Sequence, residues 1–356
     1  MTNRLFIDIH IIQTVPPSCV NRDDTGSPKT AIYGGVTRAR VSSQAWKKAV
    51  RDMFKDRYGA DEFSLRTKRV QAMVSDELNA LGSEGDTMDA AKKVLNAAGL
   101  EEKTIAGGKD APLFFMSKAQ ARALANQALV DPGDKKAAQK ALRSAPGIDL
   151  ALFGRMVADD ANLNIDASCQ VAHAISTHKI QSEYDYFTAI DDFPPEDKTD
   201  AGAAMIGTIE YNSSTLYRYA TIAAHELCLQ LGSPQQASRA IGMFTDAFAR
   251  SMPKGKINTF ANQTPPDVIY VAVRSDQPIN LVGAFERPVY AGEGGYVKRS
   301  VEELVKSAND AEKWAMPPTL SLGVGDLLCG INHIEIIDKF SDLLPRLVAE
   351  VEAGLA

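Results

Sequence analysis

The chain has 356 residues, 45% of them hydrophobic and 24% charged, with a net charge of −6. That balance belongs to a globular protein and not to a disordered one. No apolar run approaches the roughly 20 residues that cross a bilayer, and no basic segment leading into an apolar stretch marks the chain for export.

The four cysteines (Cys19, Cys169, Cys228, Cys329) stand far apart without a C-x-x-C pair. That spacing reads as reduced thiols in a cytoplasmic protein, against a disulfide framework or a zinc site. An acidic total argues against nucleic acid as a partner, but the charge is unevenly spread. Residues 1–58 hold ten Lys and Arg against five Asp, which gives +5 and leaves −11 of the −6 total to the rest. A basic head on an acidic body can dock one face on a phosphate chain.

In chain order, Leu5 to Gln13 alternates as a strand, with Leu5, Ile7, Ile9 and Ile11 on one face and Asp8 and His10 on the other. A long loop is expected from about Pro16 to Arg40, punctuated by Pro and Gly. Ser42 or Ser43 is a candidate N-cap for a helix running to about Tyr58. From about Glu62 to Ser144 the pattern is helix and connector with no strand signal, strongest at 65–81, 88–98, 118–128 and 135–142. A short helix is expected within 147–158. Strands are expected at 167–178 and 215–222, separated by an excursion rich in Asp, Pro and Gly. An amphipathic helix at 234–252, a buried strand at 267–274 and a final helix at about 336–355 complete the set. Without the helical insertion the order is strand, helix, strand, strand, helix, strand. This is an α+β, ferredoxin-like (RRM-like) βαββαβ plan.

The first helix carries the chemistry. Trp46, Val50 and Met53 fall inward, while Gln44, Lys47, Lys48, Arg51 and Lys55 form an outer arc at helical spacing. Ser42 and Ser43 at its start form an anion site with the free amides, so a phosphate chain would meet N–H groups first and cations next. The plain alternative is a solvated basic face. Other candidate sites are weaker. The five histidines (His10, His173, His178, His225, His333) form no metal-ligand cluster, so no metal or other cofactor is expected. Asp191-Asp192 beside two prolines reads as a loop pair, and the Gly-rich runs at 292–295 and 323–330 lack a phosphate-binding ending.

Several motifs then follow one another. They are Ser18-Cys-x-Asn-Arg-Asp-Asp24, Gly34-Gly35, Arg38-x-Arg-x-Ser-Ser-Gln44, Gly154-Arg155-Met156, AHAISTH through DYFTAIDD (172–192), LYRYA (216–220), GKINTFANQTPPD (255–267) and a run ending GAFERPV (283–289). In that order they resemble the CasC family, the guide-RNA-binding backbone subunit of the type I-E CRISPR Cascade complex. The resemblance implies a hand: an RRM-like palm (1–58 and 161–356), a helical fingers insertion (59–160) and a protruding thumb hairpin or loop at about 179–214. It implies a non-catalytic subunit that lines up in several copies along one crRNA, beside the large, small and crRNA-end subunits, and presents the guide to target DNA as a heteroduplex. Carried over residue by residue, Arg22, Lys29, Arg38, Arg40, Ser42, Gln44, Lys47, Lys48 and Arg51 grip the RNA backbone, with Lys256 an additional contact. Met156 and Thr188 frame a displaced base, a task suited to side chains that wedge without reading identity. The aromatic motif of a standard RRM sheet is absent, so stacking of bases on the palm strands is not expected. Two rivals stand beside this reading: a ribonuclease using Asp23, Asp24 or Asp191, and a small-molecule enzyme with a basic phosphate pocket.

Overall fold

The β-branched run after Arg4 extends as a long strand, β1 (Phe6–Ser18), and everything else is organised on it. In the computed structural model, which describes residues 4–59, 62–157, 161–190 and 203–356, the chain continues through β2 (Thr30–Tyr33), β3 (Val36–Val41) and α1 (Ser43–Tyr58). The next segment holds β4 (Ser64–Thr67), α2 (Val70–Ala80), α3 (Thr87–Ala97), α4 (Glu102–Ala106), β5 (Phe114–Ser117), α5 (Lys118–Val130), α6 (Lys135–Arg143) and α7 (Ile148–Phe153). Then come β6 (Cys169–Val171), β7 (Ala174–Ser176), β8 (Glu183–Ile190), β9 (Ala203–Ala223), α8 (Ala224–Leu231), α9 (Pro234–Arg250), α10 (Ile257–Phe260) and β10 (Val268–Arg274). The chain ends with α11 (Val297–Ala311), β11 (Leu320–Val324), β12 (Ile334–Ile336) and α12 (Phe340–Leu355).

The main sheet runs β12-β11-β10-β1-β9-β7-β3-β2, with β6 and β8 also paired to β9. At its centre β10, β1, β9 and β6–β7 lie side by side and antiparallel, which is the strand order of a βαββαβ plan. The helices of that plan are α1 and α9. Ile7, Ile9 and Ile11 point from β1 into one core with Trp46, Val50 and Phe54 of α1 and Ile241, Phe244 and Phe248 of α9. Each such side chain stabilises the fold by about 1.5–3 kcal/mol on leaving water. The opposite face is covered as well. Ile12, Tyr217, Tyr219 and Tyr270 pack there against Val301 and Leu304 of α11. Asp8 and His10, on the face opposite the isoleucines, are therefore fully buried as well. A third apolar cluster belongs to α2, α3, α5 and α6, with Phe114 and Met116 of β5.

Several expectations need correction. The loop foreseen across residues 16–40 is about half sheet: β1 extends to Ser18, and β2 and β3 form a hairpin turning at Gly34-Gly35. Gly34 has φ 58°, and a Cβ there would collide with the Glu286 carbonyl, so the turn requires glycine. The helical segment contains a two-stranded sheet, β4–β5, too short to show a period of its own. The strand expected at 167–178 is two short strands broken at Ala172-His173. The excursion before residue 215, expected as a hairpin or loop, is a ribbon in which β8 pairs with the first half of β9, from Glu183↔Tyr211 to Ile190↔Ala203. Asp191 and Asp192 lie outside the described residues.

Candidate nucleic-acid interface

The start of α1 is built by its own caps. Ser42 is buried, its Oγ accepts the Ala45 N–H at 3.3 Å, and its own N–H donates to Asn21 Oδ1 at 2.9 Å. The hydroxyl proposed as an anion ligand thus closes the helix, and the segment around Asn21 clasps the first turn. Gln44 stands exposed on that turn, which carries no acidic residue to compete with an anion.

Along the outer arc the cations diverge. Lys48 is exposed and meets Asp52 at 2.6 Å, an i,i+4 pair of little energetic weight. Lys47 is half-buried with Nζ 5.5 Å from the Phe153 ring, which links α1 to the end of α7. Arg51 turns inward, toward the helical segment. Its Nε bonds Asp149 Oδ2 at 3.0 Å, and its guanidinium lies over the Phe115 ring at 4.4 Å. It is the partner of a buried carboxylate and ties α1 to the helical segment. Arg38 also departs from the sequence reading. It is 0% exposed and donates to the carbonyls of Tyr33 (3.1 Å), Ser176 (2.9 Å) and Phe285 (2.8 Å). Its fork holds the β2–β3 hairpin, the end of β7 and the Phe285 turn together, and the side chain has no surface exposed to a phosphate.

A second group of cations gathers beside the helix start. Lys29 N–H donates to Asn21 O and Arg40 N–H to Lys29 O, so both residues lie along the edge that Asn21 fastens to Ser42. Arg40 Nη1 is 3.1 Å from Nδ1 of His173, a residue the sequence reading set aside. Nothing local in the sequence marks His173. It arrives there because β3 pairs with β7 at Arg40↔Ile175. Burial, then Arg40 and Lys29, hold the His173 pKa below the ordinary imidazole range. Arg22 is exposed, and Lys256 caps α10 in a left-handed conformation (φ 49°). Both lie close enough to the Cys19 thiol to oppose the upward push of burial on its pKa.

Gly154-Arg155-Met156 works as a display turn. Gly154 has φ 73°, and a Cβ there would lie 2.7 Å from the Ile165 carbonyl. Arg155 is buried, donates to Leu163 O and Phe115 O, and lies over the Phe114 ring at 4.6 Å. Burial lowers its pKa to about 10. The turn so anchored leaves Met156 87% exposed, where an ordinary core methionine would be hidden. Thr188 is exposed on the ribbon, sharing its cross-strand face with the exposed Tyr184, Tyr186 and Ile206. On the other face Phe187 lies over Gly207, directly across the ladder.

Asp23, one of the acids weighed for catalysis, folds its own turn, and His178 is held within the sheet. The Asp23 carboxylate accepts from Thr25 Oγ1 and from the N–H groups of Thr25 and Ser27, which lowers its pKa and folds the turn. His178 accepts the Thr215 N–H on Nε2, bonds Lys179 O through Nδ1 and stacks on Tyr296 at 3.6 Å. Among the described residues no three or more His, Cys, Asp or Glu are grouped to hold a metal ion, and no helix is long and apolar enough to cross a membrane.

Comparison with known proteins adds a family and a context. The family model described as CT1975-like protein matches residues 7–325. A chain from a structure described as a CRISPR RNA-guided surveillance complex, pre-nicking, is 32% identical, with a TM-score of 0.78 over 97% of this chain and 100% of that one. A chain from another CRISPR RNA-guided surveillance complex is 29% identical, with a TM-score of 0.66 over 97% and 99%. No curated protein matches the sequence.

Proposed function

The chain belongs to the CT1975-like protein family, and from that premise we propose that it is a subunit of an RNA-guided CRISPR surveillance complex that holds the guide RNA. The observation that carries the reading is the end-to-end likeness, at 32% identity, to a chain of such a complex. The local chemistry supports it. Lys29 and Arg40 collect at one edge, with Arg22 bridged to Pro28 next to Lys29, Asn21 fastens that edge to α1, and Gln44, Lys47 and Lys48 continue along the helix. Phosphates are the target such a strip suits, because a subunit serving any guide sequence must grip backbone and not base edges. Arg38, Ser42 and Arg51 support this strip from beneath.

The finer reading is a CasC-like backbone subunit of a type I-E Cascade. Copies of the chain repeat along one crRNA, next to the large, small and crRNA-end subunits, and target DNA is met through base pairing. Within this reading the palm is 1–58 and 161–356, the fingers are 59–160, and the ribbon is a thumb that brings Thr188 toward a neighbouring copy's Met156. The exposure of both side chains supports that role. The subunit is not itself a nuclease, and its specificity lies in the guide. Purification from cells carrying a guide array tests the proposal. One co-purifying RNA species of defined length, bound by several copies of the chain, is the expected result. A nucleic-acid-free monomer that stays monomeric with added guide would overturn it.

A further inference from the structure

Resting on that RNA-holding reading, we infer that His173 is a further phosphate ligand of the interface and takes up a proton as RNA binds. Ala172 and His173 form the break between β6 and β7, and Ala172 is pinned by its N–H to the Tyr219 carbonyl at 2.9 Å. The break leaves the His173 ring exposed against β3, with Nδ1 3.1 Å from Arg40 Nη1. A guanidinium only donates and keeps its proton, so Nδ1 is the accepting nitrogen and the ring proton sits on Nε2. The imidazole is therefore a neutral donor beside two permanent cations.

The charged groups acting on the ring are Arg40 from β3 and Lys29 from the segment before β2. No carboxylate on these elements, on the β6–β7 break or on the facing part of β9 acts on it. Both cations disfavour the imidazolium while the site is empty. A phosphate bridging Arg40 and Lys29 reverses the local field. Nδ1 then takes a proton from water, Arg40 Nη1 turns from the ring to a phosphate oxygen, and the imidazolium adds a third charge-assisted donor. Arg40 stays anchored through this change, because its Nε donates to the Thr30 carbonyl at 2.9 Å.

The sign of the pH effect follows. The pKa of His173 is below its ordinary value in the free protein and higher in the complex, so binding takes up a proton between those two values. Affinity rises as pH falls through that window, by at most about tenfold per unit for a single group. The whole chain, stripped of nucleic acid, would be titrated against a fluorescein-labelled, unstructured single-stranded RNA at fixed salt, from about pH 8 to about pH 5.5. Wild type is expected to tighten toward acid pH. His173→Gln keeps an N–H donor but cannot titrate, and its profile should be flat. His173→Arg carries its charge throughout and should bind across the whole range as tightly as wild type does at the acid end. Parallel slopes in wild type and His173→Gln would overturn the inference while leaving the RNA-holding reading intact. Failure of wild type to bind RNA at any pH would overturn both.

Discussion

Lys47 and Lys48 are adjacent in sequence but held differently, and that difference shapes what their replacement does. Lys48 reaches water past Asp52, while Lys47 leans on the Phe153 ring. Neither is needed by the core, which α1 enters through Trp46, Val50 and Phe54. Lys47→Glu with Lys48→Glu should therefore leave the fold intact and weaken RNA binding sharply. The slope of log affinity against log salt should fall by roughly one unit per lost phosphate contact; titrations at two salt concentrations would show it, and unchanged affinity would remove this face from the interface. The arginines behave oppositely. Arg38→Ala strands three buried carbonyls and should cost about 2–4 kcal/mol in urea unfolding. Met156→Ala, at a side chain that is 87% exposed, should change stability by no more than about 0.5 kcal/mol. Equal losses in the two variants would contradict the assignment of one as scaffold and the other as display.

At the scale of elements, the ribbon β8–β9 is separable while the hairpin β2–β3 is not. In the ribbon β8 pairs with β9 from Ala203 to Tyr211, whereas β9 from Asn212 to Ala223 is a central strand bonded to β1. Deleting residues 182–207 and closing the gap with a short Gly linker should leave a folded, soluble protein. That variant should bind RNA weakly through α1 yet fail to form repeating assemblies. Sedimentation with and without guide RNA measures this, and normal assembly would exclude the ribbon as the contact between copies. Some of these elements were legible in the sequence and some were not, for physical reasons. The inward stripe of α1 shows because one helix carries it at a 3.6-residue period. The α9 stripe through Ile241, Phe244 and Phe248 shows for the same reason. The setting of Arg38 is not legible in sequence because its acceptors, Tyr33, Ser176 and Phe285, lie far apart in the chain and meet only in the fold. His173 was passed over for the same cause, since strand pairing alone sets it beside Arg40. β4 and β5 are not legible because four residues show no reliable alternation, and the strand β11 and helix α11 lie outside the motifs that mark the rest of the chain.

For the whole molecule, covering the sheet on both faces turns ordinary polar residues into a buried network. Asp8 accepts from Tyr219 Oη at 2.8 Å and from the Ile279 N–H at 2.9 Å, and it pairs with Arg274 at 3.2 Å. His10 Nδ1 meets Tyr217 Oη at 2.9 Å, and its ring packs among Tyr217, Tyr219 and Tyr270. These groups join β1, β9, β10 and the segment at 279–281, so their titration is felt as global stability. Burial, with Arg274 adding to it, lowers the His10 pKa from 6.5 to about 3. The unfolded chain therefore binds a proton at this residue that the folded chain refuses. Its contribution is full above the unfolded value and declines as pH falls through the window from 6.5 toward 3. The limiting slope is about 1.4 kcal/mol per pH unit. Asp8 works the other way, because burial raises its pKa and acid relieves the cost of keeping it ionised. Wild type alone would report the two effects mixed, so the comparison that isolates His10 is with His10→Gln, which stays neutral at every pH. Urea unfolding at about pH 7, 6, 5 and 4 should show wild type losing stability more steeply than the variant on the acid side. Identical pH profiles would mean that the His10 ring accepts its proton without opening the sheet.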